Sequence, residues 1–388
     1  MPTRHSTVAL LGATGSIGRQ TIEVLRREPE AFDLIAVSAG DRIDELAAII
    51  NDFNVKHVGV KTVEGQQRLR ELVPTDVEIV VGDEGLSYLA QLADTVVNAV
   101  MGFAGLPVTL SALEAGKRLA LANKESLIAA APLVERVRST PGAELLPIDS
   151  EHCAIHQCLT NREEQAGYPS VRRLILTASG GPFRELPDDE LLYVTKEQAL
   201  KHPTWSMGAK ITVDSSTLMN KGLEVLEASA LFGIEVDRVD VVVHPQSIVH
   251  SMVEYVDGSV IAQLSQPDMR LPIAYCLSYP RRLDHAWGAL DFAETLNLTF
   301  ERPRRNVFRA LDLAYEVARR GGAAPAWMSA ANEVAVEAFL NDQIAWREIV
   351  PLVSAVLDEY SDVALGSLTE LLENDRTARE IAHGILKK

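Results

Sequence analysis

The sequence predicts an α/β chain in three parts: an N-terminal Rossmann-type parallel sheet, a central α+β domain and a C-terminal helical bundle. Three observations carry this. Over the first ~150 residues, short apolar runs alternate with amphipathic helical patterns, the mark of βαβ units. Near Asp149 the character changes to short strands separated by long loops bearing Gly, Pro and Ser. From Val307 onward only helical periodicity remains.

In the first part the strands read Thr7–Leu11, Asp33–Ser38, His57–Val60, Glu78–Val81, Thr95–Asn98, Arg118–Leu121 and Glu144–Ile148. Helical patterns fill the gaps, among them Gly18–Arg27, Asp44–Phe53 and Leu106–Ala115, the last stopped by Gly116. In the second part the expected strands are Leu174–Ala178, Ile211–Val213, Arg238–Val243, Ile248–Tyr255 and Ser259–Leu264. Asp257-Gly258 supplies the positive φ of a hairpin turn between the last two. Tyr279-Pro280-Arg281-Arg282 and Trp287-Gly288 mark a loop-rich linker. The helices of the third part read Val307–Arg320, Ala326–Asn341, Trp346–Glu359 and Leu365–Lys387. The domains implied are 1–148 for a dinucleotide, 149–277 for catalysis with a lid at about 198–208, a linker 278–303, and a helical domain 304–388.

At 388 residues the chain is too long for one ordinary domain, and 47% hydrophobic content is ample for sizeable cores. A net charge of −17 argues against a nucleic-acid partner, which needs a basic face to displace counterions. No run approaches the ~20 apolar residues that span a bilayer. Cys153, Cys158 and Cys276 are an odd number in a large chain, which suits a reducing compartment rather than a disulfide framework. The polar start Met1–Thr7 lacks the apolar core of a signal peptide. A soluble cytoplasmic protein is expected, with no membrane partner.

The first strand runs into Gly12-Ala13-Thr14-Gly15-Ser16-Ile17-Gly18 and then a helix. Glycines allow close backbone approach, and N–H groups at a helix N-terminus receive a diphosphate. A tight turn without ligand is the plain alternative; its place in an N-terminal βαβ unit favours a dinucleotide. The second strand ends at Ser38-Ala39-Gly40 with no carboxylate at its tip, and Asp41-Arg42 follow. Arg42 suits a 2′-phosphate whereas Asp41 repels one, so the balance favours NADPH over NADH.

Asp149 and Glu151 follow the last strand of the first part and, in extended backbone, point to one side. Two hard oxygen donors suit a divalent cation such as Mg²⁺ or Mn²⁺. Taken alone, one of them serves equally well as a helix cap. Asp214-Ser215-Ser216-Thr217-Leu218-Met219-Asn220-Lys221-Gly222-Leu223-Glu224 adds hydroxyls, an amide, an ammonium and a carboxylate. On a helix Ser216–Phe232, Asn220 and Lys221 share a face with Glu224, which fits a phosphate anchor with a third metal ligand, or a solvated Lys–Glu pair. Ser179-Gly180-Gly181 after a strand is an anion-binding loop or an ordinary one. His202-Pro203-Thr204-Trp205-Ser206-Met207-Gly208 reads as a mobile lid, or as a loop whose Trp plugs the core. Asn123-Lys124-Glu125 follows a strand end; Lys124 is placed to stabilise oxyanion charge, or Asn123 merely caps a helix above an exposed Lys-Glu.

His152, Cys153, His156 and Cys158 lack the spacing of a zinc site, and no nucleophile elbow or P-loop occurs.

Taken in order, Gly12–Gly18, Leu121–Ser126, Ile148–His152, Thr177–Phe183, His202–Gly208, Asp214–Glu224 and His244-Pro245-Gln246-Ser247 resemble the 1-deoxy-D-xylulose 5-phosphate reductoisomerase family. The resemblance implies a homodimer using NADPH and Mn²⁺, Mg²⁺ or Co²⁺. Its substrate would be a phosphorylated ketose, rearranged by a retro-aldol/aldol sequence and then reduced to 2-C-methyl-D-erythritol 4-phosphate for non-mevalonate isoprenoid synthesis. By the same resemblance Asp149, Glu151 and Glu224 are the metal ligands. Lys124 and Glu151 serve the rearrangement, with Ser150 contacting substrate. Ser179, Ser215, Asn220 and Lys221 hold the phosphate. His202 is the catalytic, substrate-contacting His of the lid, and Trp205 and Met207 cover the substrate. Gly12, Thr14, Gly15, Ser16, Ile17, Gly40, Asp41, Arg42, Asn123, Glu125 and Gly208 contact the cofactor. Two other readings stand beside it: another Rossmann-type sugar or semialdehyde dehydrogenase, and a dinucleotide-responsive regulator without catalysis.

Overall fold

A computed structural model describes residues 5–159, 167–205, 207–293 and 296–387. Met1–Arg4 of the polar start and Ser206 of the lid motif therefore lie outside the described residues. The strands are β1 (Ser6–Leu11), β2 (Phe32–Ala39), β3 (His57–Val60), β4 (Glu78–Val81), β5 (Thr95–Asn98), β6 (Arg118–Leu121), β7 (Glu144–Pro147), β8 (Val171–Ala178), β9 (Val239–Val243), β10 (Val249–Tyr255) and β11 (Val260–Leu264). The first eight helices are α1 (Ser16–Arg27), α2 (Ile43–Phe53), α3 (Val63–Arg70), α4 (Gly82–Leu89), α5 (Leu106–Glu114), α6 (Lys124–Ala129), α7 (Ala131–Arg138) and α8 (Ser150–Cys158). There follow α9 (Lys196–Ala199), α10 (Ala209–Ser216), α11 (Met219–Phe232), α12 (Arg270–Ser278), α13 (Ala310–Arg320), α14 (Ala324–Leu340), α15 (Ile349–Asp358) and α16 (Leu368–Leu386). Among the described residues no helix is long and apolar enough to cross a membrane.

The described residues form two compact units. The first takes in Met1–Leu127, Leu133–Cys153 and Asp268–Trp287. Its sheet has the order β4-β3-β2-β1-β5-β6-β7, parallel throughout. The order reverses between β1 and β5, and a ligand crevice opens at such a switch point, outside the strands' carboxyl ends. β1 is buried from Val8 to Leu11, as a central parallel strand covered on both faces must be. α12 joins this unit from far along the chain, packing on α1, β6 and β7. Ile273 and Cys276 are fully buried there, and the Cys276 thiol donates to the Pro147 carbonyl at 3.2 Å.

The second unit takes in Ile128–Pro132, Ala154–Pro267 and Gly288–Lys388. Its mixed sheet has the order β11-β10-β8-β9, with β8 and β9 parallel and β10 antiparallel to both β8 and β11. The β10–β11 hairpin closes at Gly258, φ +86°. α14 packs against α13, α15 and α16, making the helical bundle. α11 lies close on α13 because Gly222 has no side chain: a Cβ there would stand 2.9 Å from that of Ala314.

Two expectations fail. Ile211–Val213 is helical, within α10, not a strand. Its β-branched residues favour strands only weakly, and burial of Thr212, Val213, Asp214 and Ser216 on one helix outweighs that preference. The helix expected from Ser216 begins at Met219, because Leu218 takes a left-handed conformation, φ +60°, and separates α10 from α11. The sequence division into three also passed over α12, whose residues Pro272–Ser278 are all buried and so show no amphipathic period.

Candidate active site

The first unit gathers its site residues at the carboxyl ends of β1, β2, β6 and β7. Gly12 adopts φ +93°, and a Cβ on it would lie 2.4 Å from the Ala99 carbonyl oxygen after β5. A Cβ on Gly18 would lie 2.3 Å from the Gly12 carbonyl oxygen. Glycine alone lets α1 begin this close to the strand tip, leaving its first N–H groups for an anion. Gly15 is the residue before α1, with Ser16 and Ile17 in its first turn. The Gly12 N–H donates to the Ser38 carbonyl and hydroxyl oxygens at 3.1 and 3.2 Å, tying the loop to β2. Arg42 Nη1 donates to the Thr14 carbonyl at 2.5 Å, so this guanidinium stands at the loop, with exposed Gly40 and Asp41 beside it.

Asn123 does cap a helix: its Oδ1 accepts from the Ser126 N–H at 2.7 Å, while its Nδ2 donates to the Gly102 carbonyl at 2.6 Å. The following Lys124 is not the exposed residue of the plain alternative. It is 5% exposed, and its Nζ donates to Asp149 Oδ2 at 2.6 Å. Glu125 is half-buried in the same turn.

Asp149 and Glu151 are not on extended backbone. The Asp149 carbonyl accepts from the Cys153 N–H at 2.8 Å, and its Oδ1 accepts from the Glu151 N–H at 3.2 Å, so Asp149 caps α8. The chain turns helical immediately after Ile148 because Asp at this position satisfies a free N–H. The capping alternative is thus correct in geometry, and capping leaves the carboxylate at the strand's carboxyl end. His152 Nδ1 lies 3.0 Å from Asp149 Oδ1. Ser150 donates its hydroxyl to the Glu151 carboxylate.

In the second unit β8 runs into Ser179-Gly180-Gly181, where both glycines have positive φ. A Cβ on Gly181 would lie 2.5 Å from the Ser215 carbonyl oxygen, so this loop rests on the last turn of α10. On α11, Asn220 Nδ2 donates to Glu224 Oε1 at 2.5 Å, and the Lys221 ammonium donates to Oε2. Lys221 and Glu224 are 4% and 1% exposed, which rules out the solvated Lys–Glu pair. Beyond α9, His202 Nδ1 accepts from the Thr204 and Trp205 N–H groups at 3.1 and 2.9 Å. The proton therefore sits on Nε2, which donates to Ser179 Oγ at 3.0 Å. Burial pushes this imidazole down to about 4, so it is neutral at pH 7. Trp205 is half-buried, its ring 6.1 Å from that of His250, rather than plugging a core. Met207 is half-buried too, and Gly208 caps α10 through its carbonyl.

Three segments match models described as 1-deoxy-D-xylulose 5-phosphate reductoisomerase (8–131), the C-terminal domain of that enzyme (145–232) and the DXP reductoisomerase C-terminal domain (264–381). A 1-deoxy-D-xylulose 5-phosphate reductoisomerase of Chlorobium chlorochromatii is 47% identical, over 98% of this chain and 99% of its own. The chain belongs to the 1-deoxy-D-xylulose 5-phosphate reductoisomerase family. The Zymomonas mobilis enzyme, solved in complex with NADPH, superposes with a TM-score of 0.92 at 41% identity, covering 99% of this chain and 100% of that one. A DOX-P reductoisomerase solved with NADPH, fosmidomycin and magnesium gives 0.93 at 40%, covering 98% of each.

Within each unit the structure brings together residues that motif reading had singled out: Lys124 with Asp149, Ser150 with Glu151, Ser179 with His202, and Asn220 and Lys221 with Glu224. Two others had been passed over. His152 is fully buried, and its position three residues after Asp149 on a helix, rather than any zinc-like spacing, is the signal of contact with it. His250 is 6% exposed beneath Trp205, with burial holding its imidazole at about 4. It is one of three buried polar residues on β10, with Ser251 and Glu254, and nothing in its spacing marks it out from them.

Proposed function

We infer that this member of the family is an enzyme that rearranges and reduces 1-deoxy-D-xylulose 5-phosphate to 2-C-methyl-D-erythritol 4-phosphate, using NADPH and a divalent cation. The observation that carries the inference is that the family likeness runs through both units, not through the dinucleotide-binding unit alone. Solved relatives bound to NADPH and to magnesium support the same cofactors here. The dehydrogenase and regulator alternatives leave the likeness of the second unit without a reason.

Asp149, Glu151 and Glu224 are the proposed cation ligands, since carboxylate oxygens are the hard donors Mg²⁺ and Mn²⁺ take. When bound, the cation supplies Lewis-acid polarisation of the hydroxyketone oxygens, and NADPH supplies the hydride. Lys124, charged and held by Asp149 inside the fold, stabilises negative charge on substrate oxygen. Glu151, with Ser150 donating to it, is placed to move protons during the rearrangement. Ser179, Ser215, Asn220 and Lys221 anchor the phosphate, and that remote binding energy orients the reacting carbons. His202, neutral and donating from Nε2, together with Trp205 and Met207 covers the substrate and excludes water. The cofactor lies along Gly12, Thr14, Gly15, Ser16, Ile17, Gly40, Asp41, Arg42, Asn123, Glu125 and Gly208, with Arg42 facing the 2′-phosphate. Residues 1–148 thus serve NADPH and 149–277 catalysis.

The working form on this reading is a cytoplasmic homodimer that holds Mn²⁺, Mg²⁺ or Co²⁺. Light scattering after gel filtration checks the dimer. The deciding assay is anaerobic NADPH consumption with 1-deoxy-D-xylulose 5-phosphate, with and without Mg²⁺ or Mn²⁺. Metal-dependent oxidation yielding methylerythritol phosphate is expected; oxidation indifferent to a chelator favours the dehydrogenase reading.

A further inference from the structure

The helical segment 304–388 has no role in the reading so far. Two of its side chains reach into the helix that carries Ser215. Asn332 of α14, fully buried, donates from Nδ2 to Asp214 Oδ1 at 2.8 Å. Asp214 is 1% exposed, and its other oxygen accepts from Lys210 Nζ at 2.9 Å. Trp346, in the turn before α15, donates from Nε1 to Ser216 Oγ at 2.8 Å. Its ring also meets Phe183 edge-on, centroids 5.3 Å apart, where Phe183 closes the Ser179-Gly180-Gly181 loop. Asp214 and Ser216 flank Ser215 on α10, and Leu218, held left-handed two residues further on, sets where α11 begins.

We propose that Asn332 and Trp346 are positioning residues for the phosphate anchor: they fix the last turn of α10 and the Ser179 loop against each other. This rests on the assignment of Ser179 and Ser215 to the phosphate. Both bonds are buried and end on groups that have lost water, so their geometry is set by the protein alone. Short hydrogen bonds from a separate layer of helices on either side of Ser215 stop that turn from rotating. A shift of about 1 Å in such a residue is enough to weaken a positioned contact substantially.

The test uses the full-length enzyme with its cation and NADPH. Asn332→Leu and Trp346→Phe are measured for the substrate KM, for kcat, for competitive inhibition by inorganic phosphate and for NADPH affinity. Each is expected to raise the substrate KM and the phosphate inhibition constant together, about 5- to 10-fold, with kcat within about 2-fold and NADPH affinity unchanged. Trp346→Phe keeps the ring against Phe183, so it answers the question even if Asn332→Leu folds poorly. The double variant Asp214→Leu/Asn332→Leu is expected to be no worse than Asp214→Leu alone, because Asn332 acts through Asp214; independent structural damage would add. Substrate KM unchanged in both single variants, or NADPH affinity falling in step, overturns the proposal. Ser215→Ala separates the two levels. If it weakens phosphate inhibition while the positioning variants do not, only this proposal falls; if it leaves inhibition unchanged, the phosphate assignment falls and takes the proposal with it.

Discussion

Replacing Lys124 by Met removes a charge and keeps a side chain of similar length. The Lys124–Asp149 pair is 6% and 11% exposed, so it counts as buried rather than as a surface ion pair. Removing one partner of a buried pair costs about 3–5 kcal/mol. Asp149 keeps the Glu151 N–H and the His152 imidazole as donors, which favours the lower end, about 3 kcal/mol. For a unit of this size each kcal/mol moves Tm by about 2–4 °C, so the cation-free variant should melt about 6–12 °C below the parent protein. If Asp149 is a cation ligand, Mg²⁺ takes over the charge that the ammonium supplied, and the variant should bind it more tightly. A tenfold gain is about 1.4 kcal/mol, so saturating Mg²⁺ should recover about 3–6 °C of the loss. Thermal melts of both proteins with and without MgCl₂ measure this, and turnover of the variant should be lost throughout. A cation-free Tm drop below about 2 °C, or an Mg²⁺ shift no larger in the variant than in the parent, refutes the reasoning.

Glu224→Gln should lower turnover by about 10²-fold or more while NADPH affinity, read by fluorescence, stays the same, because the change removes one hard ligand charge and nothing from the dinucleotide loop. Gly18→Ala should weaken NADPH binding about tenfold or more, since its Cβ would stand 2.3 Å from the Gly12 carbonyl oxygen and push the loop off α1; unchanged affinity would show that the loop adapts. His156 and His250 are both held down at about 4 by burial, against 6.5 when unfolded. Between those values the unfolded chain binds protons that the folded chain does not, so stability falls as pH drops from about 6.5 to about 4 and levels off below. Urea melts at pH 7 and pH 5 check this, and His250→Asn should flatten the slope.

Residues that were easiest to place from the sequence are those whose local backbone and chemistry coincide. Gly12 and Gly18 fall a fixed distance from a buried strand, and the spacing of Asn220, Lys221 and Glu224 holds on any helix, wherever it starts. Asp149 and Glu151 were paired on the wrong geometry. Their spacing suits extended backbone, whereas the helix begins at Ser150, and the two carboxylates nonetheless occupy the same strand end. Ile211–Val213 misled because three β-branched residues carry a weak local preference that burial in the second unit overrides.

Local rules therefore sufficed for the parallel sheet, its glycine turn, the hairpin at Gly258 and the helical C-terminal segment, since each follows from periodicity or from a backbone angle that few residues tolerate. Partnerships between distant segments lay beyond them. Lys124 with Asp149, α12 with the first unit, and Asn332 with Asp214 join residues 25 to over 100 positions apart. A buried polar side chain must find its partner wherever the packed helices and strands bring one, and sequence spacing carries no record of that search.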